Sequence, residues 1–315
     1  MSPETALHSP VFQAYVTIVA GLLIVGGALL VFLRWRLRRP LGHAAKAYRG
    51  WLIMAPLVLL CIFLGRVPTI VFFSALSLAA FFEYARATRL IRDRAQTTVV
   101  AVGILAAAVA ALGSDPFRQP PGWYGFYMAL PVYVVAAILP VPIVRNRASG
   151  QLQTIALAVV GFLYIGWMFG HLALLANGRH AYGYLLFIVL AVELNDIAAY
   201  TFGRLVGKHP LRSNISPHKT WEGCLGALAV SMALPWLLRF SFPHFTPRDL
   251  ILSGLIVGVG GQLGDLSISI IKRDVGVKDM GAAISGHGGV LDRIDSLIYT
   301  APLFFHMARF FHEFD

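Results

Sequence analysis

The chain has 315 residues, 57% of them hydrophobic and only 13% charged, with a mean hydropathy of +0.71. Soluble domains carry about 25% charged residues, so this composition excludes an ordinary soluble enzyme and points to a polytopic, all-α integral membrane protein. The net charge of +11 could serve nucleic acid, but the charges fall in loops between apolar runs. That distribution suits membrane topology and anionic headgroups, and no nucleic acid partner is expected.

A spanning helix needs about 20 apolar residues. In chain order, apolar runs fall near 11–33, 50–65, 67–84, 97–113, 123–143, 152–176, 182–202, 222–241, 249–271 and 290–311. They predict about ten transmembrane helices in a single membrane domain over 1–315. Little more than Arg66 and Pro68 separates the second run from the third, so a re-entrant pair is an alternative there. The start, MSPETALHSP, lacks a positive segment and a small-residue cleavage site, so the first run reads as a retained helix. Cys61 and Cys224 sit in or beside apolar runs with no metal-ligand neighbours, which argues against a disulfide or a zinc site.

Loop charge sets the orientation. With the first helix running from outside to inside, 20 of the 26 Lys and Arg fall on one side, from Arg34–Arg39 through Arg86–Arg94 to Lys272–Arg293. Only Arg66, Arg118, Arg179, Arg239, Arg248 and Arg309 fall on the other. The asymmetry predicts both termini outside and a cytoplasmic position for the polar stretch Ser269–Asp295.

Four segments facing that side carry unusual polarity. Glu83–Tyr84–Ala85–Arg86 closes the third run and reads as an anchoring pair. In the seventh run Glu193 and Asp196 lie three apart, on one helical face. A carboxylate within a membrane helix costs about 2.5–3.5 kcal/mol on insertion scales, so these two mark a functional site or an internal pair, for instance with Arg204. Next, SNISPHKTWEG precedes the eighth run, where Ser216 or Thr220 can cap the helix. Its amides with Lys219 form a phosphate cradle. In the ninth run Asp265, Ser269 and Lys272 fall at i, i+4 and i+7 and share a face. The glycines of that run let neighbouring helices approach closely. The tenth run opens on Asp292 and Asp295, so two helices bring carboxylates to one mouth.

The stretch Ser269–Asp295, SIIKRDVGVKDMGAAISGHGGVLDRID, concentrates the chemistry. Carboxylates can hold a hard divalent cation that bridges phosphate oxygens. Lys272, Arg273, Lys278 and Arg293 neutralise phosphate charge. His287 has no second His or Cys at ligand spacing, which disfavours zinc. Ser269, Lys272–Arg273, Lys278–Asp279, Gly281, His287–Gly288–Gly289 and Asp292–Arg293–Ile294–Asp295 together resemble the signature of the phosphatidate cytidylyltransferases, the CDP-diacylglycerol synthases. Asp196, Ala199–Tyr200, Gly203–Arg204 and Gly207–Lys208 are similar to a second element of that family, and Ser216–Gly223 to a third. Ser285, His218 and Asn195 depart from the usual pattern, as in a side branch of the family.

The resemblance covers roughly residues 190–300. It implies that phosphatidate and CTP give CDP-diacylglycerol and pyrophosphate, with Mg2+ as cofactor, a second cation left open, and the bilayer as partner. On that reading Asp265 and Asp292 hold the metal, with Asp295 as third ligand or behind it. Lys272, Arg273 and Lys278 bind CTP or pyrophosphate oxygens, and Asp279 and Asp196 orient those cations. Ser269 and His287 contact phosphate. Lys219 and Arg204 hold the lipid phosphate, with Ser216 and Arg293 on the substrate side. Another lipid phosphate as acceptor, a transporter, and a homodimer all stay open.

Overall fold

Hydrocarbon offers no water to backbone amides, so long apolar runs satisfy their own hydrogen bonds as helices. The computed structural model describes residues 1–37, 42–113, 122–281 and 288–312. It is built almost entirely of helices. A short capped turn, α1 (Pro3–Leu7), leads into α2 (Pro10–Leu37), α3 (Gly42–Leu64) and α4 (Arg66–Ala87). Next come α5 (Arg94–Leu112), α6 (Tyr124–Ile138) and the short α7 (Pro140–Val144). One continuous rod follows: α8 (Gln151–Val160), a π-helical stretch (Gly161–Met168) and α9 (Phe169–Leu175). After α10 (Ala181–Val206), strands β1 (Pro210–Arg212) and β2 (Ser216–Thr220) pair antiparallel, Pro210 opposite Thr220. Then come α11 (Trp221–Leu237) and a second rod, in which α12 (Pro247–Leu255) continues through a π-helical Ile256–Gly260 into α13 (Gly261–Asp274). The final helix is α14 (Leu291–Phe311).

Helices thus occur at all ten apolar runs, but among the described residues only seven are both long and apolar enough to cross a membrane. Tyr48–Leu64 and Trp221–Leu237 are apolar but shorter. The N-terminal turn of α14 carries Asp292, Arg293 and Asp295, which places polar groups where a simple span would be apolar. α3 and α4 have 23 and 22 residues and meet at Gly65, whose φ of +111° and contact with the Met1 carbonyl leave no room for a side chain.

The loops collect at two ends, as the charge alternation requires. At one end the Arg66 guanidinium donates to the Asn177 amide oxygen at 2.6 Å and to the free carbonyls of Ala111, Leu112 and Gly113 at 2.9–3.1 Å. It thereby caps the C-terminus of α5. The same end holds the contacts of Tyr15 with Ser241 and of His312 with Asp249. At the other end Arg145 pairs with Asp93 at 2.7 Å, and Arg273 donates to the Ile215 carbonyl.

The second rod packs through its glycines, as expected from sequence. Gly258 lies against Leu228 and Ser231 of α11, and Gly264 against the backbone of Asp295 and Ser296 of α14. A Cβ on Gly264 would stand 2.5 Å from the Asp295 carbonyl and 2.8 Å from the Ser296 Cα. Backbone cannot yield as a side-chain tip can, so Gly264→Val must push α13 from α14. Overpacking of this kind costs about 1–3 kcal/mol. A thermal midpoint lowered by several degrees in detergent is expected; an unchanged midpoint would show that the contact is slack.

Candidate active site

Four elements bring charge to one end of the bundle. From α13 come Asp265, Ser269 and Lys272, on one face as their spacing predicts. The Ser269 hydroxyl donates to Asp265 Oδ1 at 3.3 Å. From β2 comes Lys219, whose ammonium lies 2.6 Å from Asp265 Oδ2 and 2.9 Å from Gln262 Oε1. Thr220 follows as the N-cap of α11, its hydroxyl accepting from the Gly223 amide at 3.2 Å. The cap holds Lys219 at the helix start, and the antiparallel pairing with β1 fixes its direction.

From α14 come Asp292 and Asp295. Lys272 lies 2.7 Å from Asp292 Oδ1, and Asp292 Oδ2 accepts from the amides of Met280 at 3.0 Å and Gly289 at 2.8 Å. Asp292 thus ties together the two stems of the signature loop and anchors α13 to α14. Acid in the first helical turn also meets the positive end of the α14 dipole. Gly288 has a φ of +80°, and a Cβ there would stand 2.7 Å from the Asp292 carboxylate, so glycine is needed on both counts.

From α10 come Glu193 and Asp196. The Ser296 hydroxyl reaches both Asp196 oxygens, at 3.2 and 3.4 Å. The charges of Asp196, Asp265 and Asp295 act on one another, and Arg293 acts on Glu193 and Asp196. Five carboxylates (Glu193, Asp196, Asp265, Asp292, Asp295) therefore share this region with three cations (Lys219, Lys272, Arg293). The formal excess is two negative charges, held among apolar helices.

Not every expected residue joins the cluster. Arg204 does not pair with Glu193 or Asp196; its guanidinium donates to the Tyr200 hydroxyl at 2.6 Å, and the contact is exposed. Arg273 reaches the Ile215 carbonyl of the hairpin at 3.1 Å. Lys278 and Asp279 are exposed, and among the described residues neither side chain has a partner. Ser216 lies in β2 beside the cluster. His287, like Ser285, falls outside the described residues. Asn195, one of the departures, is fully buried and accepts from the Ser231 hydroxyl at 3.1 Å; another, His218, is exposed in β2.

Among the described residues no three His, Cys, Asp or Glu side chains converge closely enough to form a closed metal site. The donor chemistry nevertheless suits a hard divalent cation, being all carboxylate. Asp292, expected as a ligand, has both oxygens engaged by Lys272 and by loop amides. Asp196, Asp265 and Asp295 lie near enough for their charges to act on one another.

Comparison with known proteins agrees with this picture. The sequence profile of the cytidylyltransferase family matches residues 45–311. This chain belongs to the cytidylyltransferase family. It is 30% identical over 295 residues to the uncharacterized protein YnbB of Escherichia coli, covering 92% of this chain and 95% of that one. It is 43% identical over 161 residues to a phosphatidate cytidylyltransferase of Staphylococcus haemolyticus and 42% identical to that of Staphylococcus aureus. Each of those matches covers half of this chain and 60% of the staphylococcal protein. The chain is an enzyme of the cytidylyltransferase type.

One residue of this cytidylyltransferase's site was misjudged from sequence. Glu83 is no surface anchor for Arg86. It is buried, its Oε2 accepts from the Leu291 amide at 2.9 Å, and Gly281 and Gly289 pack directly on its carboxylate. An acid in α4 thereby holds both stems of a loop some 200 residues away. Only the cost of burying a carboxylate at a helix end could have marked it. Gln262, which shares Lys219 with Asp265, was missed as well. Glu83→Ala leaves the Leu291 amide buried without an acceptor, a loss of about 1–3 kcal/mol. Faster hydrogen exchange at 288–292 with unchanged helix content is expected; exchange as slow as in the wild type would mean that the loop is held otherwise.

Proposed function

We propose that this protein transfers CMP from CTP to phosphatidate, forming CDP-diacylglycerol and pyrophosphate at the cytoplasmic face of the membrane. The observation that carries the reading is the cluster itself: paired lysines and excess carboxylates, gathered by the motifs of the cytidylyltransferase family at the basic end of an apolar bundle. The staphylococcal relatives named for this reaction support the choice of acceptor.

In the reaction a lipid phosphate oxygen forms a bond to the α-phosphorus of CTP, and the bond from that phosphorus to the bridging oxygen of pyrophosphate breaks. The attacking oxygen is already anionic at neutral pH, so no Ser or Cys nucleophile and no strong base is needed. What is needed is in-line positioning and stabilisation of charge on the leaving pyrophosphate.

Lys272 and Lys219 are the half-buried cations beside the cluster and would meet phosphate oxygens once released from their carboxylates. Lys278 and Arg273 stand at the solvent side for the outer phosphates. Asp279, beside Lys278, would orient that cation. Ser269 would contact phosphate from the face of Asp265. Asp265, Asp295 and Asp196 would hold a magnesium ion, with Asp292 keeping the loop and Lys272 in register. Such an ion, when bound, supplies charge neutralisation for the triphosphate.

The test is product analysis with purified protein in mixed micelles, with phosphatidate or an isoprenoid phosphate as acceptor, with and without magnesium. Magnesium-dependent CDP-diacylglycerol and pyrophosphate, reduced at least 100-fold in Asp265→Ala, are expected. Turnover with the isoprenoid phosphate alone would move the acceptor. No CTP consumption with either would overturn the reading in favour of transport.

A further inference from the structure

A second concentration of charge stands apart from the carboxylate cluster. The end of α4 and the start of α5 carry Arg86, Arg89, Arg92 and Arg94, and the segment between α7 and α8 carries Arg145 and Arg147. The two segments meet where the Arg145 guanidinium pairs with Asp93 at 2.7 Å. Asp93 is the only acid in 86–94 or 145–150. It is already engaged, since its Oδ1 also accepts from the Gln96 amide at 3.1 Å as the N-cap of α5. Six arginines thus stand against one carboxylate. Among the described residues, the side chains of Arg86, Arg89, Arg92, Arg94 and Arg147 make no hydrogen bond or ion pair, and all five are exposed. The cations that act on Glu193, Asp196 and Asp295 are Lys219, Lys272 and Arg293, and none belongs to this patch.

A fixed backbone presents these arginines. The Thr88 amide and hydroxyl both donate to the Tyr84 carbonyl, at 2.9 and 2.8 Å, and close α4. Arg89 then turns the chain with a φ of +63°, in the left-handed region where a side chain is uncommon. A single 3-10 turn (Leu90–Arg92) follows, pinned by the buried Leu90. The Leu90 carbonyl accepts from the Asp93 amide at 2.8 Å and the Thr97 hydroxyl at 3.1 Å. Beneath the turn, the Tyr84 hydroxyl donates to the Leu157 carbonyl of α8 and the Gln96 side chain to the Ile138 carbonyl of α6, each at 3.1 Å. Topology needs only a count of Lys and Arg in the loops. It does not call for arginine at all six positions, or for a bonded turn to carry them.

Beside the arginines the surface becomes apolar. Ile143 and Val144, immediately before Arg145, are 76% and 84% exposed, and Leu152 in the first turn of α8 is 83% exposed. These side chains stand at the ends of helices long and apolar enough to cross a membrane, Tyr124–Val144 and Gln151–Leu175. That is the depth at which hydrocarbon gives way to headgroups. A guanidinium grips phosphate oxygens through paired N–H donors. Arginines over an apolar ledge therefore match a phosphate that has acyl chains below it. A soluble polyanion would meet the arginines and leave the ledge uncovered, and a zwitterionic headgroup would bring a cation into a patch that already has an excess of them.

We propose that this arginine ledge seats the headgroup of an anionic phospholipid of the surrounding bilayer, separate from any lipid that reacts at the carboxylate cluster. Glu83, which holds the stems of the signature loop, lies one turn before Arg86 on α4. The seat is therefore at the cluster's end of the bundle, on its own set of helices. The assignment does not depend on CMP transfer.

Native mass spectrometry of the detergent-purified full chain tests it, with dioleoyl phosphatidylglycerol and dioleoyl phosphatidylcholine as probes and glycerol 3-phosphate as soluble competitor. The wild type is expected to bind phosphatidylglycerol at least tenfold more tightly than phosphatidylcholine. Two double variants, Arg86→Gln with Arg92→Gln and Arg94→Gln with Arg147→Gln, remove exposed side chains from different parts of the patch, so misfolding of one leaves the other. Each is expected to cut the preference to threefold or less. Equal affinity for the two lipids in the wild type, or a preference undiminished in both double variants, would overturn the assignment. Displacement of phosphatidylglycerol by millimolar glycerol 3-phosphate would overturn it as well, because the patch would then read free phosphate and not a lipid.

Discussion

Two ion pairs hold the rest of the site in place. Lys219 meets Asp265 at 2.6 Å, and Lys272 meets Asp292 at 2.7 Å. Each links elements that are otherwise separate, the first β2 to α13 and the second α13 to α14. Next to hydrocarbon a lone carboxylate is costly, so these partners are obligatory as well as helpful. Removing Lys272 would leave the buried Asp292 carboxylate without its cation, whereas Asp265 is half-buried. The remaining carboxylates outnumber the remaining cations, and the proposed function uses that imbalance to receive a metal-bound triphosphate.

Around these pairs the apolar helices act as positioning devices. The glycines of the second rod bring α13 to the backbone of α14, close enough for the charge of Asp265 to act on Asp295. Glu83 reaches from α4 to the stems of the signature loop, which couples the N-terminal helices to the chemistry.

Local patterns made much of this legible. Apolar length located every helix, and the i, i+4, i+7 spacing put Asp265, Ser269 and Lys272 on one face. Thr220 read as a cap because a hydroxyl precedes a helical run. What sequence could not supply was partner choice across long separations. Glu83 looked like a surface acid because its partner, the Leu291 amide, lies 208 residues on. Arg204 was matched to Glu193 and Asp196 by proximity in sequence, yet it bonds the tyrosine one turn before it. The partners that engage Asp292, a lysine of α13 and two loop amides, were not foreseen either, because backbone geometry sets them. The antiparallel pairing of Pro210–Arg212 with Ser216–Thr220 was invisible, since neither strand alternates apolar with polar residues. Among the described residues seven helices meet length and apolarity together, because two of the ten runs are shorter and polar residues interrupt the last.

The central claim is that excess carboxylate charge makes nucleotide binding depend on a divalent cation. Thermal unfolding of the purified protein with CTP alone, magnesium alone and both measures this directly, because a ligand that binds only the folded state raises the midpoint. The account predicts little effect from CTP alone, a clear rise with both, and loss of that rise in Asp265→Asn. Equal stabilisation by CTP in the presence of a chelator, or a rise that survives Asp265→Asn, would contradict it.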